Sequence, residues 1–295
     1  MKRRNKGDPD HHLVTVPVWD GKAPPSAPSA LLLALEGRAF LEWACSLAGW
    51  PWLRRAPKGD GHPVLVFPGL IAGDASTWFL RRFLSSCGYT AYPWELGINV
   101  GPKDGIVRGM TERVREIASK HKAKVSLVGW SLGGAMARAL AVAMPEKVRS
   151  VITLGSPING HPRATNAWRI FELASGFDAD DPRLRAVMSR HPPVPMTSIL
   201  SRSDGVVNWR ISMVPRTERS ENIEVPASHF GLGVNPAVLW AIADRLAQAE
   251  GEWRPFDRNV WRSVFYRDPD APVPQSAGVA GRAKRRRTRK VAIAT

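Results

Sequence analysis

The feature that most constrains this chain is a six-residue turn set between two apolar segments. Val125-Ser-Leu-Val128 is a short run of the kind a strand buried on both faces requires, and Leu132 to Ala143 is apolar enough for a buried helix. Between them stands Gly129-Trp130-Ser131-Leu132-Gly133-Gly134. A G-x-S-x-G in that position forces its serine into a sharp turn. Side chains at Gly129 and Gly133 would collide with neighbouring backbone, so the small flanks leave the Ser131 hydroxyl exposed. The following helix aims its positive end and free N–H groups at the same point, where they would stabilise a developing oxyanion. Ser131 is the candidate nucleophile.

The surrounding sequence alternates in the same way. Pro63-Val-Leu-Val-Phe67 reads as a buried strand, about 75 to 86 as an apolar helix, and Thr90 to Pro93 as a strand. A helix near 103 to 121 places Ile106, Met110, Val114 and Ile117 at helical spacing, and Val148 to Leu154 is the next strand after the turn. Such alternation implies an α/β fold, with a mostly parallel central sheet covered by helices on both faces. The rhythm breaks between about 157 and 195, where a helical run (Thr165 to Ala174), acidic Asp178, Asp180 and Asp181, and His191-Pro-Pro-Val-Pro195 suggest a small inserted cap. Strands resume at Met196 to Leu200 and Asn222 to Val225. A helix capped by Asn235, with Pro236 in its first turn, follows to about Glu250.

Around this body, at about 56–250, the chain divides into an extended arm (1–29), a helical segment packing on the core (30–55), a C-terminal extension (251–270) and a basic tail (271–295). Ser29 suits the N-cap of a helix at about 30 to 48. Glu36, Arg38 and Glu42 are expected on its wet face, with the apolar residues turned to the core. The alternative is attachment to a membrane interface through Leu31, Leu32, Leu33, Trp43 and Trp50. Trp253, Phe256, Trp261, Phe265 and Tyr266 give the extension enough apolar mass to pack back on the body.

The net charge of +16 is partly a tail property. Residues 281–290 hold seven basic side chains, and removing them leaves +9. Seven charges so close repel one another and bury nothing, so the tail reads as disordered and solvated. Weak contact with anionic lipid, nucleic acid or an acidic carrier is the alternative. Asp8, Pro9, Asp10 and two histidines stand where a secretory signal would be apolar, so no cleaved signal is expected. Cys45 and Cys87 make no disulfide framework and lack metal-ligand spacing. A reduced cytoplasm, with peripheral membrane association as the variant, is the default compartment; oligomeric state is not legible.

With its turn GWSLGG, the chain resembles the α/β-hydrolase family, and within it the esterase and lipase branch, over about residues 60 to 250. The hexapeptide is also similar to that of bacterial carboxylesterases acting on methyl esters of carrier-bound acyl chains. The resemblance implies the order nucleophile, acid, histidine. Asp204, in Ser203-Asp204-Gly205 after the strand at 196–200, then falls where the acid belongs, and is better placed than Asp178, Asp180 or Asp181 in the cap. His229, in Ala227-Ser-His-Phe-Gly231, falls where the general base belongs. His11 and His12 lie in the arm, His62 precedes the first core strand, and His161 and His191 flank the cap. Family members often carry His-Gly-x in the loop after the strand that precedes the nucleophile's strand by two. Here the run is Phe67-Pro68-Gly69-Leu70, so the backbone N–H groups of Leu70 and Leu132 would form the oxyanion hole, with Pro68 in place of the histidine.

Trp168, Phe171, Leu173 and Phe177 are candidates for an apolar roof, and Trp78, Trp130 and Trp209 for the walls of a substrate pocket, although each also reads as plain core. The resemblance implies cleavage of carboxylic esters through an acyl-enzyme on Ser131, with no metal or organic cofactor. The same triad would serve an amidase, lactonase, thioesterase or acyltransferase. A chain of another class, a non-catalytic binding protein on this fold held by its basic tail, is the remaining alternative.

Overall fold

In a computed structural model of the chain, residues 25–258 and 262–270 are described. Most of the arm, Trp261 and the stretch from 271, basic run included, lie outside these residues. Six strands form one wholly parallel sheet: β1 (Pro63–Phe67), β2 (Thr90–Pro93), β3 (Val125–Trp130), β4 (Val148–Leu154), β5 (Met196–Leu200) and β6 (Ser220–Glu224). Their order is β2-β1-β3-β4-β5-β6, so the winding reverses at β1. Beyond the carboxyl ends of β1 and β3, where the direction switches, an open α/β sheet leaves its natural crevice.

The alternation of side chains along each strand sorts the core into two layers. Val64, Val66, Val128 and Ile152 face one side. Helix α4 (Trp78–Ser86) covers them with Phe79, Leu80, Phe83 and Leu84, and α9 (Pro236–Leu246) with Val238, Leu239 and Ile242. Leu65, Phe67, Leu127 and Val151 face the other side, against Met110, Val114 and Ile117 of α5 (Asp104–His121) and Ala137 and Leu140 of α6 (Leu132–Ala143). The side chain of Asn235 caps α9 by accepting from the N–H of Ala237 at 2.9 Å. The extension returns as expected, with Phe256 and Tyr266 buried in the first layer, while Phe265 is exposed.

Between β4 and β5 the chain forms α7 (Trp168–Ser175) and α8 (Pro182–Ser189). The second helix is absent from the sequence reading, although its start is signalled: Asp181 caps it by accepting from Arg183 N–H at 2.7 Å, and Pro182 occupies its first turn.

The larger correction concerns the N-terminal segment, made of α1 (Ala30–Ala34), a 3₁₀ turn (Leu35–Arg38), α2 (Ala39–Ala48) and α3 (Trp50–Leu53). Ser29 caps it as expected, accepting from Leu32 N–H at 3.3 Å. Its faces are reversed. Glu36 is only 3% exposed, whereas Phe40 and Leu41 are 76% and 70% exposed, and Leu31, Leu33, Leu35, Trp43 and Leu47 also face outward. Attachment to the body comes from Leu53 in the core, Trp52 stacked on Trp240 at 4.2 Å, and Ser46, whose hydroxyl donates to the Val234 carbonyl. The charged face is turned inward because it finds backbone N–H groups there, which recovers the cost of burying it.

Candidate active site

Ser131 sits between β3 and α6 at φ 54° and ψ −125°. That left-handed conformation is rare for a residue with a side chain, and it persists where the surroundings enforce it. Ser131 N–H donates to the Leu154 carbonyl at 2.8 Å, tying the turn to β4. A Cβ at Gly129 would run into the backbone of Gly133 and Gly134, and one at Gly133 into the carbonyls of Phe67 and Pro68. Those contacts are the physical reason for both flanking glycines.

The structure brings the three sequence-selected side chains together. The Ser131 hydroxyl lies 3.0 Å from Nε2 of His229, and Nδ1 of His229 lies 2.7 Å from Oδ2 of Asp204. All three residues are buried. The other Asp204 oxygen accepts the N–H groups of Val206 and Val207 at 2.8 and 2.7 Å, which fixes the carboxylate toward the imidazole. Gly155, at φ +53°, leaves room for this pair: a Cβ there would come within 2.9 Å of Asp204 Oδ2 and 3.2 Å of His229 Nδ1. Burial alone would hold the His229 imidazole neutral. The Asp204 charge and hydrogen bond, with the charge of Glu36, outweigh burial and raise its pKa above the ordinary imidazole value.

Leu70 and Leu132 both line a cavity that reaches Ser131. Asn99, fully buried and not singled out by the sequence, braces the Leu70 loop. Its side-chain amide donates to the Pro68 carbonyl at 2.8 Å, and its backbone carbonyl accepts Ile71 N–H at 2.8 Å.

The cavity has a volume of about 530 Å³. Leu132, Ala135, Met136, Ala139, Leu140 and Ala143 line it, one continuous face of α6. At 1.5 Å per residue that face runs about 16 Å away from the serine. Val107 and Met110 of α5 add to the wall, and Trp168, Phe171 and Phe177 also line the cavity, together with Leu184 and Val187 of α8. Four residues of the expected pocket lie elsewhere. Leu173 is 89% exposed. Trp78 is on the surface and lines a separate cleft with Arg54, Arg81 and Arg82. Trp209 is stacked between Arg202 and Arg210, at 3.9 and 4.8 Å. Trp130 donates from its indole N–H to the His229 carbonyl at 3.0 Å.

Other histidines are engaged differently. His62 bonds Asp60 at 2.5 Å and Ser126 at 2.9 Å, and its burial lowers its pKa despite the neighbouring carboxylate. Among the described residues, no group of three or more His, Cys, Asp or Glu side chains is arranged to hold a metal ion.

Lipase B of Aspergillus fumigatus has a similar structure, with a TM-score of 0.51 and 15% identity over 69% of this chain and 56% of that one. The chain has the α/β-hydrolase fold. It thus spans little more than half the length of that lipase. Bacillus licheniformis lipase BlEst2 in mature form is similar at a TM-score of 0.49 and 16% identity, over 66% of this chain and 95% of that one. An alpha/beta superfamily hydrolase from Oenococcus oeni is similar at 0.47 and 15%, over 63% and 91%. A family model for palmitoyl protein thioesterase matches residues 63–192. In the hydrolase fold of this chain, that stretch runs from β1 through the cap, contains Ser131, and stops short of Asp204 and His229. No curated protein matches in sequence.

Proposed function

We propose that this protein is a serine hydrolase that cleaves carboxylic esters of medium to long acyl chains. The observation that carries the reading is the hydrogen-bonded series Ser131, His229, Asp204 at the head of an apolar cavity. In the proposed reaction His229 Nε2 takes the Ser131 proton as the oxygen attacks the ester carbonyl. The oxyanion is held by the Leu70 and Leu132 N–H groups, and Asp204 stabilises the imidazolium. His229 returns the proton to the departing alcohol. Water, activated by the same imidazole, then releases the acid. The acyl chain lies along α6 beneath the cap.

A thioester is the second substrate class, favoured by the thioesterase family match and open to the same chemistry. A panel of p-nitrophenyl esters and acyl thioesters of graded length, run with wild type and Ser131→Ala, tests both. Turnover that depends on Ser131 and grows with acyl length supports the reading, and an inert wild type sinks it.

The working surface we propose is anionic lipid. The outward Leu31, Leu35, Phe40, Leu41 and Trp43 offer apolar contact, and the adjoining cleft adds Arg54, Arg81 and Arg82. Among the described residues, no carboxylate forms an ion pair with those arginines. Trp43 and Trp50 both pack on Phe79 and so connect the apolar face to that cleft. The basic run at 281–290 would add attraction of the same sign.

A further inference from the structure

The loops that carry Asp204 and His229 come from different strand ends and meet through the Ser201 and Ser203 hydroxyls, which donate to the Ala227 carbonyl at 2.6 and 3.1 Å, and through the Asp204–His229 pair itself. A second bridge between them is the inward face of the N-terminal segment, and among the described residues it alone reaches the backbone of Gly205 and His229 with a carboxylate. Oε1 of Glu36 accepts Gly205 N–H at 2.7 Å and His229 N–H at 3.0 Å, while Oε2 accepts Phe230 N–H at 2.9 Å. One carboxylate therefore holds the residue after the acid and the backbone of the base itself.

Two neighbours extend the brace. Arg38 donates to the carbonyls of Ser203 and Ala227, at 2.5 and 3.1 Å, again one from each loop. Glu42 accepts Ser228 N–H and the Asn235 side-chain amide, both at 2.8 Å, and lies 3.5 Å from Arg38. Approach is close on both sides: a Cβ at Gly205 would strike the Leu32 carbonyl, and one at Gly231 the Glu42 carboxylate.

We propose that Glu36 is a positioning residue of the active site, holding the Asp204 and His229 loops in register through three backbone N–H groups. The N-terminal segment is thereby part of the catalytic apparatus. The proposal rests on the serine-hydrolase reading and adds a residue to it from a segment ahead of the first core strand.

Glu36 also acts through its charge. Among the described residues, the charged groups around the His229 loop are Asp204 from the loop after β5 and Glu36, Arg38 and Glu42 from the N-terminal segment. Ser131, Trp130 and Phe230, packed on the other sides, carry none. Removing the negative charge of Glu36 makes the imidazolium less favourable, so His229 becomes less basic and stays neutral to lower pH.

The test compares Glu36→Gln and Glu36→Ala with wild type in ester hydrolysis, in NMR titration of the His229 ring, and in thermal melting to confirm folding. Gln keeps one acceptor oxygen for Gly205 and His229 but loses the charge and opposes Phe230 N–H with its amide. A displacement of about 1 Å at a catalytic group costs on the order of 10²-fold, so Glu36→Ala is expected to lower kcat by about that factor with KM little changed, and Gln by about tenfold. In both variants the acid limb of the rate profile and the His229 titration move to lower pH. Folded variants with wild-type kcat and an unmoved titration would overturn the proposal, as would losses of activity that merely follow the folded fraction. A wild type inert toward every ester counts against the hydrolase reading instead, and the His229 titration still decides the role of Glu36.

Discussion

In the proposed reaction His229 must be neutral to take the Ser131 proton, yet its surroundings make it more basic than a free imidazole. The acid limb of kcat/KM is therefore expected above the ordinary imidazole pKa, with activity rising as pH increases through it. A rate that stays flat well below that pKa contradicts the assignment of His229 as base. Asp204→Asn keeps the size of the side chain but offers the imidazole the wrong partner for its tautomer. The expected loss in kcat is about 10⁴-fold with KM little changed, and single-substrate kinetics on the purified variant measures it. Ser131, Asp204 and His229 were selected from sequence because each stands at the end of a recognisable strand in the order the resemblance supplies. Glu36 could not be selected that way. Its partners are backbone N–H groups at 205, 229 and 230, which have no sequence signature at position 36. Trp78 and Trp209 show the same limit, since aromatic side chains stacked on arginines read identically to pocket walls until the arginines are located.

At the level of elements, the buried strands and α6 were the most legible. β1 has the bounds its apolar run suggests, because a strand covered on both faces needs an unbroken run flanked by breakers, and β4 and β5 also have the expected bounds although Arg149-Ser150 and Thr197-Ser198 interrupt theirs. The first helical segment was legible as a helix and misread in orientation. Periodicity shows that it has two faces, and charge usually identifies the wet one. Here the charged face meets loops more than 160 residues away that offer it donors, and the apolar face is left outside. Helix α6 has two functions: its N-terminus faces the serine and one side lines the cavity. Ala139 points into that cavity partway along. Ala139→Phe should shorten the accepted acyl chain, lowering kcat/KM for long-chain esters by about tenfold or more while short esters keep theirs. Equal effects on all lengths would show that the chain does not lie along α6.

For the whole molecule, no helix among the described residues is long and apolar enough to cross a membrane. The N-terminal segment nonetheless exposes large apolar side chains beside an arginine-lined cleft. Wild-type protein is expected to float with vesicles containing phosphatidylglycerol and to remain behind with phosphatidylcholine alone. Phe40→Asp with Leu41→Asp should weaken flotation by at least about tenfold, given the apolar area removed, as should Arg54→Glu with Arg82→Glu. Ser131→Ala should float like wild type. Unchanged flotation in both surface variants would move the attraction to the basic tail, and a stable dimer hiding Phe40 and Leu41 would assign the face to a second copy. The fold thus carries on one chain a cavity that reaches Ser131 and, apart from it, the surface proposed to meet lipid.

The central claim is that Ser131 is an activated nucleophile, and labelling with a fluorophosphonate followed by intact mass and peptide mapping tests it most directly. One adduct per wild-type chain, mapped to Ser131 and absent from Ser131→Ala and His229→Ala, is the predicted result. Folded wild-type protein that takes up no label, or that carries it on another residue, would contradict the account.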